Sequence, residues 1–176
     1  MFFSVKELEV RKIRFDETFR AGQIDFVGEE LKQESELRAA GVAELVPHSP
    51  GEVRIRGRYS VVIGAACDRC LEPARFPLEA DFDLCYLPVE TIARDEEVGI
   101  DEAESEVGFY ENGGVELEDV LREQILLALP MQRICSETCK GICPACGQNR
   151  NQAACNCKTE DAGGRWAALR NLGSPN

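Results

Sequence analysis

This sequence is poor in the groups most enzymes work with. Its 176 residues include a single histidine, His48, held in Val46-Pro47-His48-Ser49-Pro50. A proline-flanked histidine with no identifiable partner reads as an exposed loop residue rather than a general base. There is no glycine-rich phosphate loop and no dinucleotide fingerprint. No apolar run is long enough to span a bilayer. The start, Met1-Phe2-Phe3-Ser4-Val5-Lys6-Glu7, becomes charged within six residues, unlike a secretory leader. Internal repeats and low-complexity tracts are also missing. These absences point to a cytoplasmic protein without a small-molecule substrate and without membrane contact.

Cysteine is what the chain has in excess. Nine are present, and six of them fall within residues 135–157, as Cys135-x3-Cys139-x3-Cys143-Pro-Ala-Cys146-Gly and Cys155-x-Cys157. A further pair, Cys67-Asp-Arg-Cys70, stands far upstream. Thiols of a cytoplasmic protein stay reduced and bind metal more readily than they pair, and an odd count fits a complete disulfide set poorly. Closely spaced thiolates select a tetrahedral soft-ligand ion, and zinc is the expectation. One four-thiolate site is expected at Cys143, Cys146, Cys155 and Cys157. Cys155 and Cys157 can share an ion only on a turn, because strand neighbours face opposite ways. Cys67 and Cys70 need two more ligands, and Cys135 and Cys139 are the natural candidates, on one face of a helical turn. Spacing does not fix connectivity, so interleaved pairing stays open. Cys85, between Leu84 and Tyr86, is the leftover and reads as a small hydrophobe.

Competing thiol chemistries fit less well. A redox Cys-x2-Cys should open a helix after a strand, whereas Cys67-Asp-Arg-Cys70 leads into Leu-Glu-Pro and a second strand pattern. An iron–sulfur cluster uses the same ligands and is an alternative. Four cysteines around zinc leave no position for a reacting water, so a structural ion is the reading and hydrolysis is disfavoured.

Charge is concentrated in one place. The net charge is −12, and residues 89–123 hold 13 acidic and 2 basic side chains. That segment reads as a solvated acidic loop over 90–114, with Phe109 and Tyr110 a short strand inside it. Around it, period-two alternation over Val53–Ile63 and Phe76–Tyr86 predicts half-buried strands forming a hairpin, 53–86, with the Cys67/Cys70 pair at its tip. Residues 5–27 read as strand material broken at Asp16 and Ala21-Gly22. Residues 29–40 read as helical with Gly41 as a stop. Glu116 to Leu129 is a strong amphipathic helix ended by Pro130. Residues 165–172 read as a short terminal helix. The fold expectation is α+β: a β-rich domain over 1–130 with one central helix, then a Cys-rich zinc-binding segment over 131–176.

Four stretches together resemble the YceD family of large ribosomal RNA subunit accumulation proteins. They are Cys67-Asp-Arg-Cys70-Leu-Glu-Pro, the helix Glu116–Pro130, Cys139-Lys-Gly-Ile-Cys143-Pro-Ala-Cys146-Gly-Gln-Asn-Arg-Asn, and Arg165-Trp-Ala-Ala-Leu-Arg-Asn-Leu. Two departures are Ile142, where the family carries Leu, and Asp161-Ala-Gly-Gly-Arg165, where it carries Asp-Pro-Arg. The resemblance implies a non-enzymatic role in producing or accumulating large-subunit (23S) ribosomal RNA, through that RNA or a pre-ribosomal particle. Candidate RNA-contacting residues are Arg54, Arg56 and Arg58, spaced about 7 Å apart along one strand face, with Arg69 and Arg75 near the hairpin tip. No aromatic stacking partner is evident on that face, so a solvated sheet surface is the competing reading. The acidic segment repels RNA and suits a basic ribosomal protein, which makes a zinc-stabilised protein-docking module the alternative function.

Overall fold

A computed structural model describes residues 1–26, 31–94 and 107–157. The chain forms two compact units, one from Met1–Ala66 with Pro73–Arg133, the other from Cys67–Glu72 with the chain from Ile134 onward.

The first unit is α+β. Its elements are β1 (Phe2–Ser4), α1 (Val5–Leu8), β2 (Ile13–Phe19), β3 (Leu31–Gln33), β4 (Leu37–Leu45), β5 (Val53–Ala66), β6 (Pro73–Pro88), a 3-10 turn (Val89–Arg94), β7 (Val107–Tyr110), β8 (Gly114–Glu116) and α2 (Leu117–Ala128). The main sheet runs β2-β4-β5-β6-β7, and β3 also pairs with β5. Every pairing in it is antiparallel except β6 with β7. Strands β1 and β8 make a separate two-stranded ribbon. The hairpin forms as its alternation predicts, with Val53 opposite Tyr86 at one end and Ala66 opposite Pro73 at the other. Successive side chains of a strand face opposite sides. Val53, Ile55, Tyr59, Val61 and Ile63 therefore enter the core while Arg54, Arg56 and Arg58 face outward.

Helix α2 matches its periodicity. Leu117, Val120, Leu121 and Ile125 are buried along one stripe. Leu129 turns extended at the C-terminal end, as a residue before proline must. The Tyr59 hydroxyl donates to the Gln124 carbonyl at 3.1 Å, fixing the helix to the sheet. Among the described residues, no helix is long and apolar enough to cross a membrane.

The helix expected over 29–40 is wrong where the structure describes it. Leu31–Gln33 and Leu37–Leu45 are strands. Leu37, Ala39 and Ala43 alternate into the core, and the good helix formers between them are overridden by pairing with β2 on one side and β5 on the other. Gly41 does not stop a helix; it sits opposite Gly57 in the ladder. A Cβ on Gly41 would lie 2.1 Å from the Arg56 carbonyl oxygen and 2.7 Å from the Phe15 ring, so the glycine makes room for an aromatic laid across the sheet. Two smaller corrections concern the N-terminal stretch. Val5–Leu8 is a helical turn, and Asp16 lies inside β2 opposite Ala40, its side chain outward. Within the stretch 90–114 expected as an acidic loop, the chain makes the 3-10 turn and then β7, which contains the short strand expected at Phe109 and Tyr110, and Gly114 already belongs to β8. Residues 95–106 and the expected helix 165–172 lie outside the described residues.

Candidate metal centres

The second unit is built from two copies of one small turn. In Cys67–Glu72, the Leu71 amide donates to the Cys67 carbonyl at 2.8 Å and the Cys67 amide donates to the Glu72 carbonyl at 2.8 Å. In Cys143–Gln148, the Gly147 amide donates to the Cys143 carbonyl and the Cys143 amide to the Gln148 carbonyl, again both at 2.8 Å. The residue after the second cysteine takes positive φ in both, 63° at Leu71 and 72° at Gly147. Glycine adopts that conformation freely, while leucine bears a steric cost there. The turn's purpose explains why it is tolerated: it points backbone N–H groups at sulfur. Amides of Arg69 and Cys70 face the Cys67 sulfur, and those of Ala145 and Cys146 face the Cys143 sulfur.

Each turn gains two more thiols. Sulfurs of Cys67, Cys70, Cys135 and Cys139 lie within 4.8 Å of one another, and so do those of Cys143, Cys146, Cys155 and Cys157. The Cys135–Cys139 stretch is a non-helical turn closed by Cys139 N–H donating to Ser136 O at 3.1 Å, which corrects the expected helical turn. Cys155 and Cys157 lie on irregular chain rather than a strand, so both can face the same point. Cys85 stays apart on β6, where burial pushes its thiol up.

The donor set fits a divalent metal ion. A tetrahedron with metal–sulfur bonds of about 2.3 Å has sulfur–sulfur edges of about 3.8 Å. The structure shows 3.9 Å between Cys67 and Cys139 and 3.7 Å between Cys70 and Cys135. Electrostatics agree. Burial opposes ionisation of Cys67, but N–H groups of Cys135, Arg69 and Cys70 bring it down to about 6. Cys143 is also brought down to about 6, chiefly by the Cys146 and Ala145 amides. Cys70 is pushed up to about 12: the Glu72 amide favours its thiolate, but burial and the three neighbouring thiols outweigh it. Cys157 is pushed up to about 12, first by Cys146 and then by burial. Cys139 is also lowered, first by the Asn151 side-chain amide, while the neighbouring Cys139 thiol pushes Cys135 up and the neighbouring Cys143 thiol pushes Cys155 up. Each cluster thus favours thiolate at some sulfurs and opposes it at others, a conflict that a bound dication removes.

A polar network missed by sequence reasoning supports these sulfurs. Asn151 donates its side-chain amide to the Cys139 sulfur at 3.3 Å and accepts the Lys140 amide at 2.8 Å. Glu72 accepts from Asn149 at 3.2 Å and from Gln152 at 2.9 Å. The Ile142 amide donates to Arg69 O at 2.9 Å, and Gly141, at φ 69°, brings its backbone to within a Cβ's reach of that same carbonyl. The residues around one cluster therefore hold the other. The visible signal was the polar run Gln148-Asn-Arg-Asn-Gln152 directly after Cys146-Gly147, whose amides suit ligand support better than solvent.

The candidate RNA-contacting arginines are engaged. Arg54 forks onto Asp83 at 2.7 and 2.6 Å, Arg56 meets Glu44 at 2.9 Å, Arg58 meets Asp81 at 2.9 Å and Arg75 meets Glu34 at 2.8 Å. Arg69 donates to the Cys139 carbonyl at 3.3 Å. The outward sheet face is a lattice of both signs.

A family model described as "Large ribosomal RNA subunit accumulation protein YceD" matches residues 55–173. An Arabidopsis thaliana protein named "Large ribosomal RNA subunit accumulation protein YCED homolog 1, chloroplastic" is 28% identical over 142 residues, covering 69% of this chain and 44% of that protein. The Zea mays protein of the same name is 26% identical, covering 65% and 47% respectively. The chain thus spans less than half the length of these plant relatives. The uncharacterized protein YlbN of Bacillus subtilis (strain 168) is 23% identical over 171 residues, 97% of this chain and 93% of that one. No solved structure matches. The matched residues take in both four-cysteine clusters and α2, well over half of the sequence, and the chain belongs to the YceD family.

Proposed function

We propose that this protein is a non-enzymatic factor that promotes accumulation of large-subunit ribosomal RNA, acting on that RNA or a pre-ribosomal particle in the cytoplasm. Two zinc ions would shape its second unit, one held by Cys67, Cys70, Cys135 and Cys139, the other by Cys143, Cys146, Cys155 and Cys157. The family match carries the functional half of this reading, and the paired four-sulfur geometry carries the metal half. Zinc supplies a crosslink there, not a reaction: with all four positions taken by sulfur, no site is left for water or substrate. The residues do the rest. N–H groups of the two turns stabilise thiolate, and Asn151 orients Cys139.

Depletion of the protein tests the functional half. Large-subunit RNA should fall relative to small-subunit RNA, and the wild-type chain should restore it while a Cys70→Ser/Cys146→Ser chain should not. An unchanged ratio on depletion rejects the role.

The route of contact has two forms. Direct RNA binding predicts crosslinks that weaken steeply with salt as phosphates displace carboxylates from Arg54, Arg56, Arg58 and Arg75. The ion pairing of all four arginines favours the second form, contact through a basic protein of the particle. Partner capture that survives nuclease supports that form, and capture lost to nuclease supports RNA.

A further inference from the structure

The first unit contains an aromatic cavity of about 450 Å³ that neither cysteine cluster touches. We propose that it is a receptor for a cationic side chain, an arginine or lysine presented by an extended segment of a basic protein. This deepens the protein-contact form of the proposed function and rests on it.

The cavity is built rather than incidental. The Tyr86 ring lies across the neighbouring strand β7 on Gly108, where a Cβ would meet the ring at 2.5 Å. The Phe2 ring lies on Gly114 in the same way, at 2.6 Å. Two glycines thus seat two aromatic walls. Phe109 and Phe2, each about half exposed, stand together at the lip of the cavity rather than singly on the surface.

The polar groups select the charge of the occupant. Glu111, Glu116, Asp119 and Glu123 line the cavity. Glu116 is engaged by the N-terminal ammonium at 3.0 Å and Asp119 by Arg122. Glu111 and Glu123 have no ion-pair partner among the described residues. Tyr86 gives an independent sign. Of the three tyrosines, Tyr59 donates to the Gln124 carbonyl and Tyr110 to the Gly51 carbonyl. The Tyr86 side chain is 8% exposed, and its hydroxyl makes no hydrogen bond among the described residues; it is not sealed in the core but reaches solvent, and Tyr86 lines the cavity. Glu123 and Asp119 line the same cavity as Tyr86, and burial, then these two carboxylates, push its ionisation up. Aromatic faces with carboxylates at the rim attract a guanidinium or ammonium through its charge and its flat or methylene surface together. The same carboxylates repel phosphate, which favours a protein over RNA as the source. Among the described residues strand β7 pairs only with β6, which leaves its other side for an extended segment to lie along.

The test uses the full chain with zinc and an acetylated peptide of alternating glycine and arginine, followed by NMR titration. The control peptide carries citrulline, which keeps the shape and removes the charge. Expected are shifts at Gly108, Phe109 and Tyr86, and binding weakened at least about tenfold by citrulline. Phe109→Ala and Tyr86→Phe leave the net charge unchanged and should weaken binding, Phe109→Ala by about threefold to tenfold. Equal binding of both peptides, or variants that bind like the wild type, overturns the proposal, because bulk charge alone then accounts for the attraction. Tighter binding by Arg165→Ala/Arg170→Ala would mean that the chain's own arginines compete for the cavity, and would overturn its assignment to a partner. A chain that restores ribosomal RNA levels with Phe109→Ala in place, yet binds the peptide by that much more weakly, separates failure of this site from failure of the proposed function.

Discussion

The two units of this chain are held together by different physics. The first buries Phe3, Leu37, Ile55, Ile63, Leu117, Leu121 and Ile125 completely or nearly so, an ordinary apolar core between sheet and helix. In the second, the buried side chains among the described residues are cysteines: Cys67, Cys70, Cys139 and Cys143. Of the large apolar residues described there, Ile142 is 40% exposed, Leu71 65% exposed, and Ile134 only partly buried. The described residues of this unit offer no apolar core to oppose their conformational entropy, and under the proposed reading sulfur does through metal what hydrocarbon does in the first unit. Breaking either source of order should leave the other standing.

The largest effect is expected from metal removal. Structural zinc contributes apparent stabilisation of about 10–16 kcal/mol at neutral pH in small zinc domains. Chelation under reducing conditions should therefore abolish hydrogen-exchange protection in Cys67–Glu72 and 134–157 while β4, β5 and α2 keep theirs. Loss of protection in both units at once would show that the units are not separately stabilised.

The complementary change is Leu121→Ala. It should destabilise the first unit by about 2–5 kcal/mol in urea unfolding, with the zinc content of the folded protein unchanged.

Acidification comes next. Binding must displace protons from thiols, most of all from Cys70 and Cys157, whose ionisation is pushed up to about 12. Zinc affinity should fall as pH falls, with more than one proton released per ion loaded at pH 7.5. A pH-independent affinity between 6 and 8 would contradict the assigned ligands.

Asn151→Ala sharpens the comparison within the second unit. It removes one donor to the Cys139 sulfur and should lower affinity at that site by about 10- to 100-fold, with a shifted cobalt–thiolate absorption band. An unaltered spectrum and affinity would make Asn151 a bystander.

The smallest effect should come from Arg58→Ala. Its ion pair with Asp81 is exposed on both sides, where solvent screens the attraction, so the urea midpoint should not move measurably; a clear drop would show that the sheet-face ion pairs stabilise the first unit.

Legibility from sequence follows the same division. The hairpin and α2 could be read because their periods, two and 3.6, are imposed by a single buried face. Strand β4 could not, because Arg38, Ala40 and Glu44 are good helix formers, much of its core side is small (Ala39 and Ala43), and Gly41 passes under Phe15, a long-range contact. The four-sulfur groupings could be proposed from spacing, since tight Cys-x2-Cys turns dictate convergence. The polar run Gln148–Gln152 was visible, but its partner Glu72 was not, nor was the cavity over Gly108, because each depends on residues far apart in the chain: Glu72 with Gln152, Tyr86 with Gly108. The arginine face was visible as a pattern, but its carboxylate partners came from two neighbouring strands.

Native mass spectrometry of chain purified under reductant tests the central claim most directly. The account predicts two zinc ions per chain, falling to one with either Cys70→Ser or Cys146→Ser. A metal-free chain whose second unit is still ordered would contradict it.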